Sequence, residues 1–119
     1  MNTQQTISAV KQSRVKKKKQ HLLKATTYDK RGRPIAVGFN DYGHTHPIQA
    51  SLARQAGCPE KQYLHAEIAA IIKSKNRTID SISIERYDTE GRPKLAKPCS
   101  ICEIAIKQAG IRWIRYTVG

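Results

Sequence analysis

A chain of 119 residues with 22 lysines and arginines against 9 acidic residues has room for one core and not two, and its formal charge of +13 implies attraction to phosphate in some form. Three cysteines are too few, and odd in number, for a secreted disulfide framework; the longest apolar run, Ile68 to Ile72, falls far short of a membrane span. The opening "MNTQQTISAVKQ" lacks the apolar core of a signal peptide, so the expectation is a soluble, cytoplasmic protein with no membrane partner.

The basic charge is concentrated early. Residues 11 to 24, "KQSRVKKKKQHLLK", hold seven basic side chains and no acidic one, and residues 1 to 20 read as a basic helix or arm ahead of a domain over 21 to 119. His21 belongs to that stretch. The run serves either as a solvated face or as a contact for phosphate, and charge alone does not separate a nucleotide from a polynucleotide. From Leu22 to Asn40 two β-prone runs flank "YDKRGRP", a turn sequence with Asp near its start and Gly in its middle, which predicts a β-hairpin. The same pattern returns as "YDTEGRP" at 87 to 93, while its flanks do not repeat.

"HPIQASLARQAG", His46 to Gly57, predicts a short helix with Pro47 in its first turn, and residues 64 to 75 a stronger one with a core face of Ile68, Ile71 and Ile72. A strand over 79 to 87, with Ile82 and Ile84 on one face, leads to a helix entered at Pro98 and stopped by Gly110, then to the strand "IRWIRYTV". Strand, helix and strand make a crossover unit whose two strands lie parallel. The fold class is therefore α/β: a mixed sheet of about four strands, hairpin then parallel pair, covered by helices in three layers. On the last strand, Trp113 and Tyr116 are expected in the core.

Two short motifs carry chemistry. His65 and Glu67 in "HAE" are two apart, so both face one point only in the irregular first turn of their helix. Cys99 and Cys102 in "PCSIC" stand three apart in the first turn of another helix, where both sulfurs share a side and the positive helix end favours thiolates. Helix starts leaving the same end of a sheet can bring His65, Cys99 and Cys102 together, three donors and one short of a closed tetrahedral zinc shell. An open fourth position suits catalysis, because water activated there is a nucleophile near neutral pH, and Glu67 stands ready to take its proton.

"HAE", a gap of thirty residues and "PCSIC" together resemble the zinc-dependent cytidine deaminase superfamily. The similarity covers about residues 22 to 118 and looks closest to the deoxycytidylate deaminase and tRNA adenosine deaminase branches, whose second motif "PCSICEIAIKQAGIRWIRY" is similar to. It implies a cytidine-deaminase-like fold, one catalytic zinc ion held by His65, Cys99 and Cys102, and Glu67 as proton shuttle. Asn40, in "VGFN", is implied as a substrate contact, and the backbone carbonyl of Ala66 as acceptor for the exocyclic amine. The implied activity is hydrolytic deamination of cytosine to uracil in a nucleotide or nucleoside, and family precedent implies a homo-oligomer. A single-stranded DNA or RNA deaminase is the alternative, with adenine as a less favoured base; the basic arm suits a polynucleotide.

Blander readings stand beside these. Cys58 as a fourth ligand closes the site into a structural one, and the protein becomes a non-catalytic zinc-stabilised nucleic-acid-binding module. A thioredoxin-like redox pair fits poorly with a C-x-x-C so late in the chain. His44 and His46 in "YGHTHP" either border the pocket and touch substrate or, as favoured, serve the loop and cap the helix after them. Tyr42 and Tyr63 flank the pocket segment and are candidates for stacking on a base.

Overall fold

The computed structural model describes residues 22 to 61 and 63 to 119; the expected basic helix or arm over residues 1 to 20 lies outside them. The chain builds a mixed α/β architecture. Strands β1 (Leu22–Tyr28), β2 (Pro34–Phe39) and β3 (Asp41–Thr45) precede helix α1 (Pro47–Gln55). Strand β4 (Tyr63–Leu64), helix α2 (Ala66–Lys73), β5 (Ser81–Tyr87), β6 (Pro93–Lys94), α3 (Ser100–Gln108) and β7 (Trp113–Tyr116) follow. The main sheet runs β2-β1-β5-β6, with β7 also paired to β5, and β3 and β4 form a separate two-stranded ribbon.

The expected hairpin is antiparallel β1–β2, with Ala25 opposite Gly38, and the expected parallel pair is β5–β7, with Ile82 opposite Ile114. The sheet has five strands rather than four because the second "YDxxGRP" turn closes a further hairpin, β5–β6. The two turns are chemically alike. Asp29 Oδ1 accepts from the backbone N–H of Arg31 and Arg33, and Asp88 Oδ1 from those of Glu90 and Arg92. Arg33 and Arg92 each donate Nε to the other oxygen of their aspartate, and Gly32 and Gly91 take φ of 79° and 83° to close the loop. The Arg92 backbone N–H, first among several donors, holds the Asp88 carboxyl down to about 2.

One core unites the sheet and two helices: Ala25, Ile82 and Ile84 pack on Ala66 and Ala70 of α2 and Ile106 of α3. A second joins Leu52 and Ala53 of α1 to Ile68 of α2 and to Ile101, Cys102 and Ala105 of α3. The face expected on α2 is carried most deeply by Ile68, while Ile71 and Ile72 are half-buried at the junction with α1 and α3. Among the described residues all three helices share these cores.

Trp113 and Tyr116 are not core residues. Trp113 is 61 % exposed and all four residues of β7 are exposed, because β7 is a short strand at the sheet margin that, among the described residues, pairs only with β5.

Gly38 sets the distance between the sheet and α2. A Cβ there would sit 2.6 Å from the Ala66 carbonyl oxygen, 2.8 Å from Ala69 Cβ and against the Ala70 backbone nitrogen. Gly38→Ala is therefore expected to lower unfolding free energy by about 1–3 kcal/mol in a urea titration. Unchanged stability would contradict this close approach.

Candidate metal centre

Both helices that meet at the centre begin on a metal-ligand type of residue. His65 is the N-cap of α2 and Cys99 the N-cap of α3, each with extended backbone and neither using its side chain to cap its own helix. Their side chains turn instead toward each other. His65 Nδ1 lies 3.3 Å from Cys102 Sγ and 3.6 Å from Cys99 Sγ, and the three donor atoms all fall within 4.8 Å of one another, close enough to hold a metal ion. A tetrahedral ion with zinc's bond lengths separates nitrogen and sulfur donors by roughly 3.5 Å, close to both nitrogen–sulfur separations here.

The thiols are poised unequally. The Cys102 thiol donates to Cys99, which with His65 holds the Cys99 sulfur down to about 3 as a thiolate. Cys102 is pushed up, first by that same shared proton, then by burial and by the Glu67 carboxylate. Together they hold one proton between two sulfurs, and a bound cation would displace it.

Glu67, the second residue of α2, is only 6 % exposed, and burial pushes its carboxyl above the ordinary range. It lines a cleft of about 190 Å³ together with His65, Cys99, Asn40, Tyr42 and Tyr63. Asn40 is held at the end of the β1–β2 ladder, where its Oδ1 accepts from the Leu23 backbone N–H at 3.1 Å. His46 caps α1 by accepting from the Ile48 N–H, His44 Nδ1 lies 2.6 Å from Asp41 Oδ2, and neither lines the cleft. The Ala66 carbonyl faces β2 at Gly38, and Ala66 is likewise not a lining residue.

Two residues support the centre in roles that the sequence did not assign: Gln49, which it did not single out, and Tyr63, expected to stack on a base. Gln49 is fully buried in α1; its Oε1 accepts from the His65 backbone N–H at 3.1 Å and its Nε2 donates to the Lys61 carbonyl at 3.3 Å, fixing the segment that delivers the histidine. A glutamine on the inner side of a helix otherwise lined by Leu and Ala was the available signal. Tyr63 packs its ring 4.7 Å from the His65 imidazole and 4.8 Å from Tyr42. His65 Nε2 is buried with no hydrogen-bond partner among the described residues, so the Tyr63 ring and the Nδ1 contacts with Cys102 and Cys99 orient the imidazole.

Cys58 is half-buried against the α1–α2–α3 core and is not one of the clustered donors. Cys58→Ser is expected to retain one metal ion per chain by elemental analysis; loss of the metal would make Cys58 a ligand.

No helix among the described residues is long and apolar enough to cross a membrane. Comparison with protein-family models gives no match, and comparison with curated proteins finds no relative.

Proposed function

We propose that this protein is a zinc-dependent hydrolase of the cytidine deaminase kind, converting cytosine to uracil in a nucleotide or nucleoside. The observation that carries the reading is the buried carboxyl of Glu67 in the same cleft as His65 and Cys99, with those donors and Cys102 gathered to hold one ion. Three donors of the imidazole–thiolate type suit zinc and leave room for a fourth, non-protein donor. A zinc ion bound there supplies Lewis acidity that makes water nucleophilic at neutral pH.

The chain's own residues do the rest. Glu67 takes a proton from the attacking water and passes it to the ring nitrogen beside the amino-bearing carbon; a carboxyl raised by burial is suited to holding a proton and giving it up again. A carbon–oxygen bond forms at the amino-bearing carbon; Glu67 then takes the proton of the new hydroxyl and delivers it to the amine, the carbon–nitrogen bond breaks, and ammonia leaves a uracil carbonyl behind. Tyr63 holds His65 in register and, with Tyr42, offers an aromatic wall to a flat base. Asn40 supplies an amide at the cleft edge to orient substrate.

The test is uracil and ammonia formation from deoxycytidylate, cytidine and a cytosine-containing oligonucleotide, with the adenine counterparts as controls, using the zinc-loaded full chain. Turnover of any cytosine substrate supports the reading. Absence of turnover on all three, with zinc bound, would contradict it.

A further inference from the structure

The last strand leaves one edge open. Among the described residues β7 pairs only with β5, and the backbone N–H groups of Trp113 and Thr117 are spent there, on the carbonyls of Asp80 and Ile84. The period of two along a strand turns the N–H and C=O of Ile114 and Tyr116 to the opposite side, away from β5. From Arg112 to Val118 this edge carries neither the proline nor the lysine that commonly blunts an open strand. It is also apolar. Five of the nine large apolar side chains exposed among the described residues gather here: Trp113, Ile114, Tyr116 and Val118, with Leu95 brought alongside by the Ala96 N–H bond to the Thr117 carbonyl. At 40 % to 65 % exposure each, they present roughly 500 Å², toward the top of what a monomer leaves bare.

We infer that a second copy of this chain occupies the edge, the two β7 strands pairing antiparallel about a twofold axis at Ile114 so that two sheets become one. The strand's own sequence selects that occupant. Arg112-Trp113-Ile114-Arg115-Tyr116, run against itself about Ile114, sets Ile114 on Ile114, each Trp113 opposite an Arg115 and each Tyr116 opposite an Arg112. Every aromatic then meets a guanidinium, and no like charges are opposed. Centring one residue later sets Arg115 on Arg115, and two residues later leaves Trp113 opposite Gly119. The backbone agrees with the Ile114 register: its outward groups make the hydrogen-bonded pair of an antiparallel ladder, and Trp113 with Arg115 the closer, non-bonded pair. Arg115 already lies over one aromatic face, the Tyr28 ring, at 5.4 Å. Two facing patches total about 1,000 Å², the low end for specific association, which suits a reversible dimer with a micromolar Kd. This pairing is independent of the chemistry at His65.

The test is sedimentation equilibrium of the zinc-loaded full chain over about 1–100 µM, in about 0.3 M salt so that the +13 charge of each copy is screened. The expected result is a rise with concentration from the 13.4 kDa of one chain toward twice that mass. Ile114→Glu and Ile114→Lys, each alone, should weaken association about tenfold or more, because like charges meet at the axis. Mixing the two variants should restore it, because glutamate then meets lysine. Trp113 is the chain's one tryptophan, so its emission should move to shorter wavelength as the dimer forms. Circular dichroism checks the fold of both variants; if either fails to fold, the mass and emission of the parent decide. A parent that keeps the mass of one chain throughout, an emission that stays unchanged while the mass doubles, or a dimer that survives both substitutions overturns the inference. So does a mixture of the folded variants that stays monomeric.

Discussion

Replacing Glu67 with glutamine is expected to abolish uracil formation, by about 10³-fold or more, while zinc stays at one ion per chain. The amide keeps the size of the side chain and its place in the cleft but carries no transferable proton, so binding and chemistry separate. Stability should move the other way. Because burial raises the carboxyl of Glu67 above its ordinary value of 4.5, the fold favours its protonated form. That contribution is present below the ordinary value and is lost as pH rises through the folded value. In metal-free protein at neutral pH, where burial disfavours the ionised carboxylate, the glutamine variant should therefore melt at a higher temperature than the parent, and the difference should shrink on acidification. A variant that keeps its turnover would remove Glu67 from the chemistry; one that loses zinc would place it among the ligands.

Replacing Cys102 with serine is expected to remove the metal. Cys102 is fully buried, packs in the core shared by α1, α2 and α3, and brings its sulfur within 3.3 Å of His65 Nδ1. The measurement is the zinc-induced shift in unfolding. A metal that binds only the folded chain stabilises it by about 4 kcal/mol at a thousandfold excess over Kd, and the variant should show none of that gain. Its metal-free stability also falls, since a hydroxyl replaces a sulfur among Leu52, Ile68 and Ile101. The zinc-dependent difference, not the absolute stability, reports ligation. An undiminished zinc response in the variant would contradict the donor assignment.

Much of this centre was legible because the relevant information is local. His65 and Glu67 share a site only if the helix starts between them, and α2 does begin at Ala66. Cys99 and Cys102 fall within one turn of a helix start set by Pro98, and α3 begins at Ser100. The β1–β2 hairpin and the parallel β5–β7 pair follow from turn chemistry and crossover handedness, both properties of short sequence windows.

What the sequence concealed is set by contacts distant along the chain. Strand β6 is two residues long and exists only because the Asp88 turn returns it to β5. The β3–β4 ribbon pairs Asp41 with Leu64 across a whole helix. Trp113 has an aromatic's preference for a core, yet its strand lies at the sheet margin, a matter of topology that no side-chain preference encodes. Gln49 reaches His65 over sixteen residues and Tyr63 reaches Tyr42 across α1, so neither support has a local spacing rule.

The most direct test is X-ray absorption at the zinc edge of the loaded, substrate-free protein. The expected spectrum fits two sulfurs at about 2.3 Å and two lighter donors at about 2.0 Å, one an imidazole and the other exchangeable with an added small anion. A shell with three sulfurs, or one of four protein donors that no added ligand perturbs, would contradict an open catalytic centre at His65, Cys99 and Cys102.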